Sequence, residues 1–442
     1  MKKVLILAYD FPPYVSVGGL RPYNWLKYLK EFGVEPIVVT RQWGNEYGSS
    51  LDYIAPSASK ETLIEEEEYG TVIRAPYFPS RSNRLLLQHG ENKYRLFRKA
   101  LTACDEIRQF LWVSGPKKQL YIAARKYLKE NKVDAIVATG EPFVLFSYAQ
   151  RLSQEFSIPW IADYRDPWSQ NKGRQHNALY TRWNRYLEQK IVAKASCITT
   201  ASEFFKQKIE KLINNKTIHV LPNGYDPSVI EKVADLPQKT TELTISFIGT
   251  IYNWHPWQSF LEQFSIFLES NPEAKIKLNF YGINISHEVN TFIQPFPRKT
   301  QEAIHIFPKM PNQELLEKLS KENVMLLFNY YSFQGTKIYD YIGLKRKIIL
   351  CYANDKKALA LKDKHYSMEE MEGGSQQLQA DLLQKTNSGV IVQNEAHLQE
   401  IFQELLDEFN TNGKIACDSV GAENYSRKIQ VKKLAEIIKS HN

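Results

Sequence analysis

The stretch Pro159-Trp160-Ile161-Ala162-Asp163-Tyr164-Arg165-Asp166-Pro167-Trp168 sets two acids, a base and a proline directly behind an apolar run. The run from Ile158 to Ala162 reads as a buried strand, and open α/β sheets gather their ligands beyond the carboxyl ends of such strands. Asp163, Arg165 and Asp166 are therefore candidate ligand groups. The alternative is that both aspartates cap the following helix and pair locally with Arg165. Other segments end in the same way. Val4 to Ala8 runs into a proline- and glycine-rich loop containing Gly18 and Gly19 and followed by Arg21, and Ala135 to Thr139 runs into Gly140-Glu141-Pro142. Glycines let a backbone approach a ligand closely, and a helix N-terminus favours an anion such as phosphate. The loop is not Gly-x-Gly-x-x-Gly, and the second strand ends in Thr40-Arg41-Gln42 with no acid for a ribose. The dinucleotide fingerprint is absent.

The elements that must position these groups alternate strand and helix. Val4–Ala8, a helix over 21–32 ended by Gly33, and Ile37–Thr40 form a βαβ unit, which implies a right-handed parallel crossover. Further strands are expected at 71–73, 135–139, 158–162, 196–202 and 218–221, with basic helices filling 91–131. A polar stretch at 226–242 containing Pro237 is read as an interdomain linker. A second α/β series follows, with strands at 243–248, 276–281, 304–307, 324–328 and 347–351 and a last helix near 426–439. The reading is an N-terminal domain over 1–225, the linker, a C-terminal domain over 243–424 and a closing helix over 425–442. Two doubly wound α/β halves imply a ligand cleft between them.

Length and composition agree with this plan. A chain of 442 residues with 43% hydrophobic and 24% charged residues has apolar material for two cores. The four cysteines and nine histidines show no ligand spacing, and Asp-x-Asp is absent, so no metal and no cofactor is expected. The N-terminal apolar run is too short for a secretion signal or a membrane span, which makes the cytoplasm the expected compartment. The net charge of +8 is concentrated. Residues 74–132 hold fourteen Lys/Arg against four acids, interleaved with Leu85-Leu86-Leu87, Tyr94, Leu96, Phe97 and Trp112. Such a region suits peripheral contact with an anionic membrane or a lipid-diphosphate acceptor; without a nucleic-acid motif, no nucleic-acid partner is expected.

The ordered set of motifs resembles bacterial GT-B-fold glycosyltransferases of the large family 4 type, including those of capsule and lipopolysaccharide biosynthesis. The motifs are Phe11-Pro12-Pro13 with Gly18-Gly19 and Arg21, Thr139-Gly140-Glu141-Pro142, Asp163 to Trp168, Asn223-Gly224-Tyr225-Asp226, Phe247-Ile248-Gly249-Thr250 and Lys337-Ile338-Tyr339-Asp340-Tyr341. The resemblance implies two Rossmann-like domains, the first taking a glycan or lipid-linked acceptor and the second a UDP- or GDP-sugar. It also implies transfer with retention, no bound metal, and a terminal helix crossing back to the first domain. Without a metal, the departing diphosphate must be met by helix N-termini and cations. Gly335-Thr336-Lys337 is then the candidate phosphate site, with Lys337 catalytic and Asp340 on the ribose. Gly249, Thr250, Tyr281, Gly282 and Met310 would frame the donor. Asp163 would orient or deprotonate the acceptor hydroxyl, with Glu141 as second acid. Gly18, Gly19, Arg21, Arg165 and Asp166 would hold acceptor or phosphate. Two departures stand out: Ser332 occupies the place of an expected acid, and the segment after Gly249 offers His255 in place of a basic pair. These departures feed a second reading, a non-catalytic partner subunit, and a sugar-nucleotide epimerase on the same architecture is the other alternative.

Overall fold

The computed structural model describes residues 1–14, 16–44, 51–170, 178–366 and 373–441. The chain divides into two compact units, Met1–Pro222 with Arg427–Asn442, and Asn223–Ser426.

The first unit is built on an eight-stranded sheet. Its strands are β1 (Lys2–Leu7), β2 (Val34–Arg41), β3 (Leu63–Glu67), β4 (Gly70–Ala75), β5 (Ala135–Gly140), β6 (Trp160–Tyr164), β7 (Cys197–Thr200) and β8 (Ile218–Val220). Their order is β3-β4-β2-β1-β5-β6-β7-β8. All pair in parallel except β3, which lies antiparallel on β4. β1 and β5 are buried along nearly their whole length, as strands covered by helices on both faces must be. The acidic run Glu65–Glu68 contributes most of the edge strand β3, whose charged side chains guard an otherwise open edge.

The second unit carries β9 (Leu243–Ile248), β10 (Ile276–Tyr281), β11 (Ile304–Phe307), β12 (Val324–Phe328), β13 (Lys347–Cys351) and β14 (Gly389–Val392). The order is β11-β10-β9-β12-β13-β14, all parallel. Each sheet thus reverses its winding beside its first strand, between β1 and β5 and between β9 and β12. These are the switch points where open α/β sheets bind ligands.

One boundary differs from the sequence reading. The stretch 226–242 is not a free linker, because it starts with the helix Pro227–Ile230 and buries Ile230 and Val233 in the core of the second unit. Leu236 accepts a hydrogen bond from Arg346 Nη2, and the Lys239 amide bonds to Lys321 O. The helix Arg427–Ser440 belongs to the first unit, where Val431, Leu434 and Ile438 pack with Trp25 and Leu29. Among the described residues no helix is long and apolar enough to cross a membrane.

Candidate functional site

In the first unit Asp163 lies inside β6 rather than beyond it. The sheet register aligns Thr139, Asp163 and Thr199 in one row across β5, β6 and β7. Asp163 is 0% exposed. Arg21, from the helix Val17–Leu29, grips it, with Nη2 at 2.8 Å from Oδ1 and Nε at 3.1 Å from both oxygens. Thr139 and Thr199 donate to the same carboxylate at 2.8 and 2.7 Å. Arg21 Nη1 ends on Leu221 O at 2.8 Å. The expected acceptor base is therefore corrected: every direction around Asp163 is filled by protein donors, and no substrate hydroxyl reaches it. Asp163 and Arg21 are an anchor that ties three strands to the first helix. A carboxylate buried this way persists because it is neutralised and fully hydrogen-bonded.

The groups that reach the switch point lie beside this anchor. Arg165 runs across the end of β5, donating from Nε to Gly140 O at 3.0 Å and from Nη2 to Glu141 O. Its Nη1 stands 3.7 Å from Asp10 Oδ2. Asp10 also accepts from Ser16 Oγ at 3.2 Å, while Ser16 caps the helix by accepting the Gly19 amide. A β-carbon at Gly18 would come within 1.8 Å of Arg165 Nη1, so any side chain there displaces the guanidinium. At Gly19 the nearest neighbours would lie at 3.4 Å, an ordinary contact. Asp166 is half-buried, and burial pushes its carboxyl up while Arg165 pulls it down. Glu141 lines a cavity of about 180 Å³ together with Phe143 and Trp168. The sequence reading missed Asp10, although it follows the first strand just as Asp163 seemed to follow its own.

In the second unit the site is assembled from the ends of β9 and β12. Gly249 follows β9 with φ +69°, a conformation that side chains resist, and a β-carbon there would press on Lys337 Cε at 3.2 Å. Lys337 Nζ donates to Thr250 O at 2.9 Å and stands 4.3 Å over the Phe247 ring. Among the described residues no carboxylate pairs with it. Burial pushes this ammonium down to about 7. His255 lies near it and is 1% exposed. Its Nδ1 accepts the Tyr252 amide at 3.2 Å, which leaves the ring proton on Nε2, buried and without a hydrogen-bond partner among the described residues. Burial, then Lys337, holds the imidazole well below its usual range and so neutral. A cation and an N–H donor, both short of acceptors, thus share this switch point.

Other expected donor contacts change character. The helix Lys337–Gly343 has only seven residues and Thr336 makes no side-chain cap, so the Lys337 side chain, not the helix end, is the main positive feature. Gly335 has φ +69° and lies against the Tyr330 ring, and Asp340 stands in the first helical turn, half-buried. Tyr281 is a pillar, not an open ligand: it is 4% exposed, its hydroxyl donates to Glu322 at 3.0 Å, and its ring stacks on Phe307. Gly282 has φ +60° and abuts Lys309, while Met310 is half-buried against the core. Ser332 is fully buried and donates to Gln376. Trp168 stacks between Phe143 and Phe110, and Trp254 stacks on Tyr252.

Residues 103–229 match the sequence profile of Glycosyltransferase Family 4. The match covers Glu141, Asp163 and Arg165 and lies almost wholly in the first unit. No curated protein matches the chain by sequence. Its fold is similar to that of the UDP-forming α,α-trehalose-phosphate synthase of Burkholderia xenovorans, solved in complex with glucose-6-phosphate. That likeness has a TM-score of 0.61 and 12% identity, over 99% of this chain and 100% of that one. A glycosyltransferase from Rickettsia africae gives 0.56 and 14%, over 99% and 98%. A sucrose-phosphate synthase from Thermosynechococcus elongatus gives 0.53 and 11%, over 99% and 95%. Sequence match and fold agree on a glycosyltransferase of GT-B type. The two Rossmann-like units of such an enzyme are the two sheets described above, and the switch point of each holds one of the two residue clusters.

Proposed function

We propose that this glycosyltransferase moves a sugar from a UDP- or GDP-sugar to a glycan or lipid-linked acceptor, with retention and without metal, in the synthesis of a surface polysaccharide such as capsule or lipopolysaccharide. The donor belongs to the second unit and the acceptor to the first. The observation that carries this reading is Lys337, a buried ammonium without a counter-ion among the described residues, at the end of β9. An isolated buried cation is costly, and an anionic ligand relieves that cost. As the bond from the anomeric carbon to the diphosphate breaks, charge develops on the leaving oxygen. Lys337 and the His255 Nε2–H meet that charge, the role a metal would otherwise fill. We assign the acceptor hydroxyl proton to Glu141, because Asp163 is enclosed. The solved trehalose-6-phosphate enzyme of E. coli, bound with UDP-2-fluoro glucose, supports a uridine donor (TM-score 0.55, 12% identity, 99% of this chain and 96% of that one).

The test is a thermal-shift series with UDP and GDP, each with and without EDTA, on wild type and Lys337→Met. A nucleotide that binds only the folded chain raises the melting temperature by mass action. The expected result is stabilisation that survives EDTA and disappears in the variant. Stabilisation that EDTA removes, or that the variant keeps, overturns the assignment. Peripheral membrane contact is part of the same reading, because Leu96, Phe97 and Trp112 are exposed among the basic side chains of 81–118. Co-sedimentation with phosphatidylglycerol vesicles that Leu96→Ser/Phe97→Ser leaves unchanged would sink it.

A further inference from the structure

Two small cavities in the first unit meet at one lysine. The first, of about 180 Å³, is walled by Phe110, Phe143 and Trp168, with Trp168 stacked on both phenylalanines at 5.4 and 5.0 Å. The second, of about 100 Å³, is walled by Tyr9, Tyr53 and Tyr77. Lys117, Glu106 and Gln109 line both. A third cavity of about 770 Å³ carries Arg95, Arg98 and Lys99, and it shares Glu106 with the two inner ones. Shared walls therefore lead from a basic surface groove to Lys117.

Lys117 is poised much as Lys337 is. Its ammonium lies 5.6 Å over the Tyr9 ring and has no hydrogen-bond or ion-pair partner among the described residues. The neighbouring charges do not satisfy it. Glu106 is the acid with the largest influence on it, but that carboxylate accepts from Gln109 Nε2 at 2.6 Å and forms no ion pair with Lys117. Asp10 is engaged by Arg165 and Ser16. Arg41 adds a second cation, held 3.8 and 4.1 Å over the Tyr77 and Trp43 rings and hydrogen-bonded to Tyr53 O and Ala55 O. Burial lowers the ammonium, Glu106 raises it and Arg41 lowers it further. Aromatic faces around a polar centre suit a sugar-sized ring, and a cation short of an anion suits a charged substituent on it. The inner cavities lie below the usual ligand-pocket range of roughly 300–1,000 Å³, so they suit one terminal ring of the acceptor and leave the rest of it outside.

We infer that Lys117 is the anion-binding residue of the acceptor site, holding a phosphoryl or carboxylate group on one terminal acceptor ring that enters by the Arg95–Lys99 groove. This inference rests on the transferase reading for the word acceptor; the anion site itself is testable without any turnover. The experiment is competitive acetylation of the full chain by acetic anhydride, with the rates at Lys117 and Lys337 read separately by mass spectrometry. The probes are inorganic phosphate, sodium acetate and UDP.

Inorganic phosphate or acetate is expected to slow labelling at Lys117 by about 10-fold or more, in wild type and in Lys337→Met alike, as a charge-assisted contact of ordinary strength would. Whichever anion protects identifies the substituent class, while UDP protects Lys337 and leaves Lys117 unchanged. Lys117→Met abolishes phosphate or acetate stabilisation measured in the Lys337→Met background, and Lys117→Arg restores it. The inference is overturned if neither anion slows labelling at Lys117, or if Lys337→Met alone removes all anion binding. Protection at Lys117 in a chain that UDP and GDP leave untouched separates the two claims: the anion site then stands and the donor assignment falls.

Discussion

Replacing Lys337 with methionine tests the donor site most directly, because it opposes stability to binding. The drop from an ordinary 10.5 to about 7, at about 1.4 kcal/mol per tenfold change, sets a ceiling of about 5 kcal/mol on what this buried ammonium costs the fold. Methionine keeps the stem that packs on Phe247 and Gly249 and removes the charge. Replacing buried charge by apolar volume typically gains about 1–4 kcal/mol. A gain of about 2 kcal/mol in a body of about 200 residues raises the melting temperature by roughly 4–8 °C. The wild-type pH dependence follows from the same shift. Because the folded value is depressed, the unfolded chain binds the extra proton between about pH 7 and 10.5, so stability rises with pH across that window. The variant loses that slope. UDP binding weakens by about 10- to 100-fold, the worth of one or two charge-assisted hydrogen bonds. Thermal melts from pH 6 to 10 and calorimetric titration with UDP and GDP read all three effects. A variant that melts lower than wild type, keeps the pH slope and binds nucleotide equally well would refute the reasoning at each step.

Three further outcomes follow from the same geometry. Asp163→Ala strands the Arg21 guanidinium among β5, β6 and β7 and is expected to cost about 3–5 kcal/mol in urea unfolding. A loss under 1 kcal/mol would show that the cluster is not an anchor. Gly18→Ala drives a methyl group into Arg165 and is expected to cost about 1–3 kcal/mol. Gly19→Ala, one residue on in the same helix, places its methyl in ordinary contact with the Asp10 and Phe11 backbone at 3.4 Å and costs less than Gly18→Ala, and equal effects at the two positions would discredit the cradle. His255→Phe leaves melting within about 1 kcal/mol, since the ring is neutral and packed on Tyr330 and Phe328. It nevertheless weakens UDP binding several-fold if Nε2–H meets the diphosphate, and unchanged binding in calorimetry would remove His255 from the site.

What the sequence by itself determined is the sheet framework and the neighbourhoods of chemistry. Apolar runs such as Val4–Ala8, Ala135–Thr139 and Val324–Phe328 are long, continuous and punctuated by glycine or proline, and a strand buried on both faces leaves just that trace. Segments without it were missed: the acidic edge strand β3, where one exposed face suffices, and the short β14 with its half-buried residues. The positions of Gly249 after a strand and Lys337 at the start of a helix were legible as local signals, whereas their contact with each other was not. The tertiary structure alone decided which acid is available. Asp163 and Asp10 look alike in sequence, each beside the end of a strand. Asp163 is sealed by Arg21, which is 142 residues distant, and by threonines on two neighbouring strands, whereas Asp10 remains at the loop surface beside Arg165. The linker failed for the same reason: residues 226–242 are polar and irregular alone, yet Ile230 and Val233 find a core that only the folded second unit supplies. Lys117 lay unmarked in a basic run of fourteen cations. Its place over the Tyr9 ring and between two cavities distinguishes it from the others, and that place is a property of the packed chain that residue type and spacing do not carry.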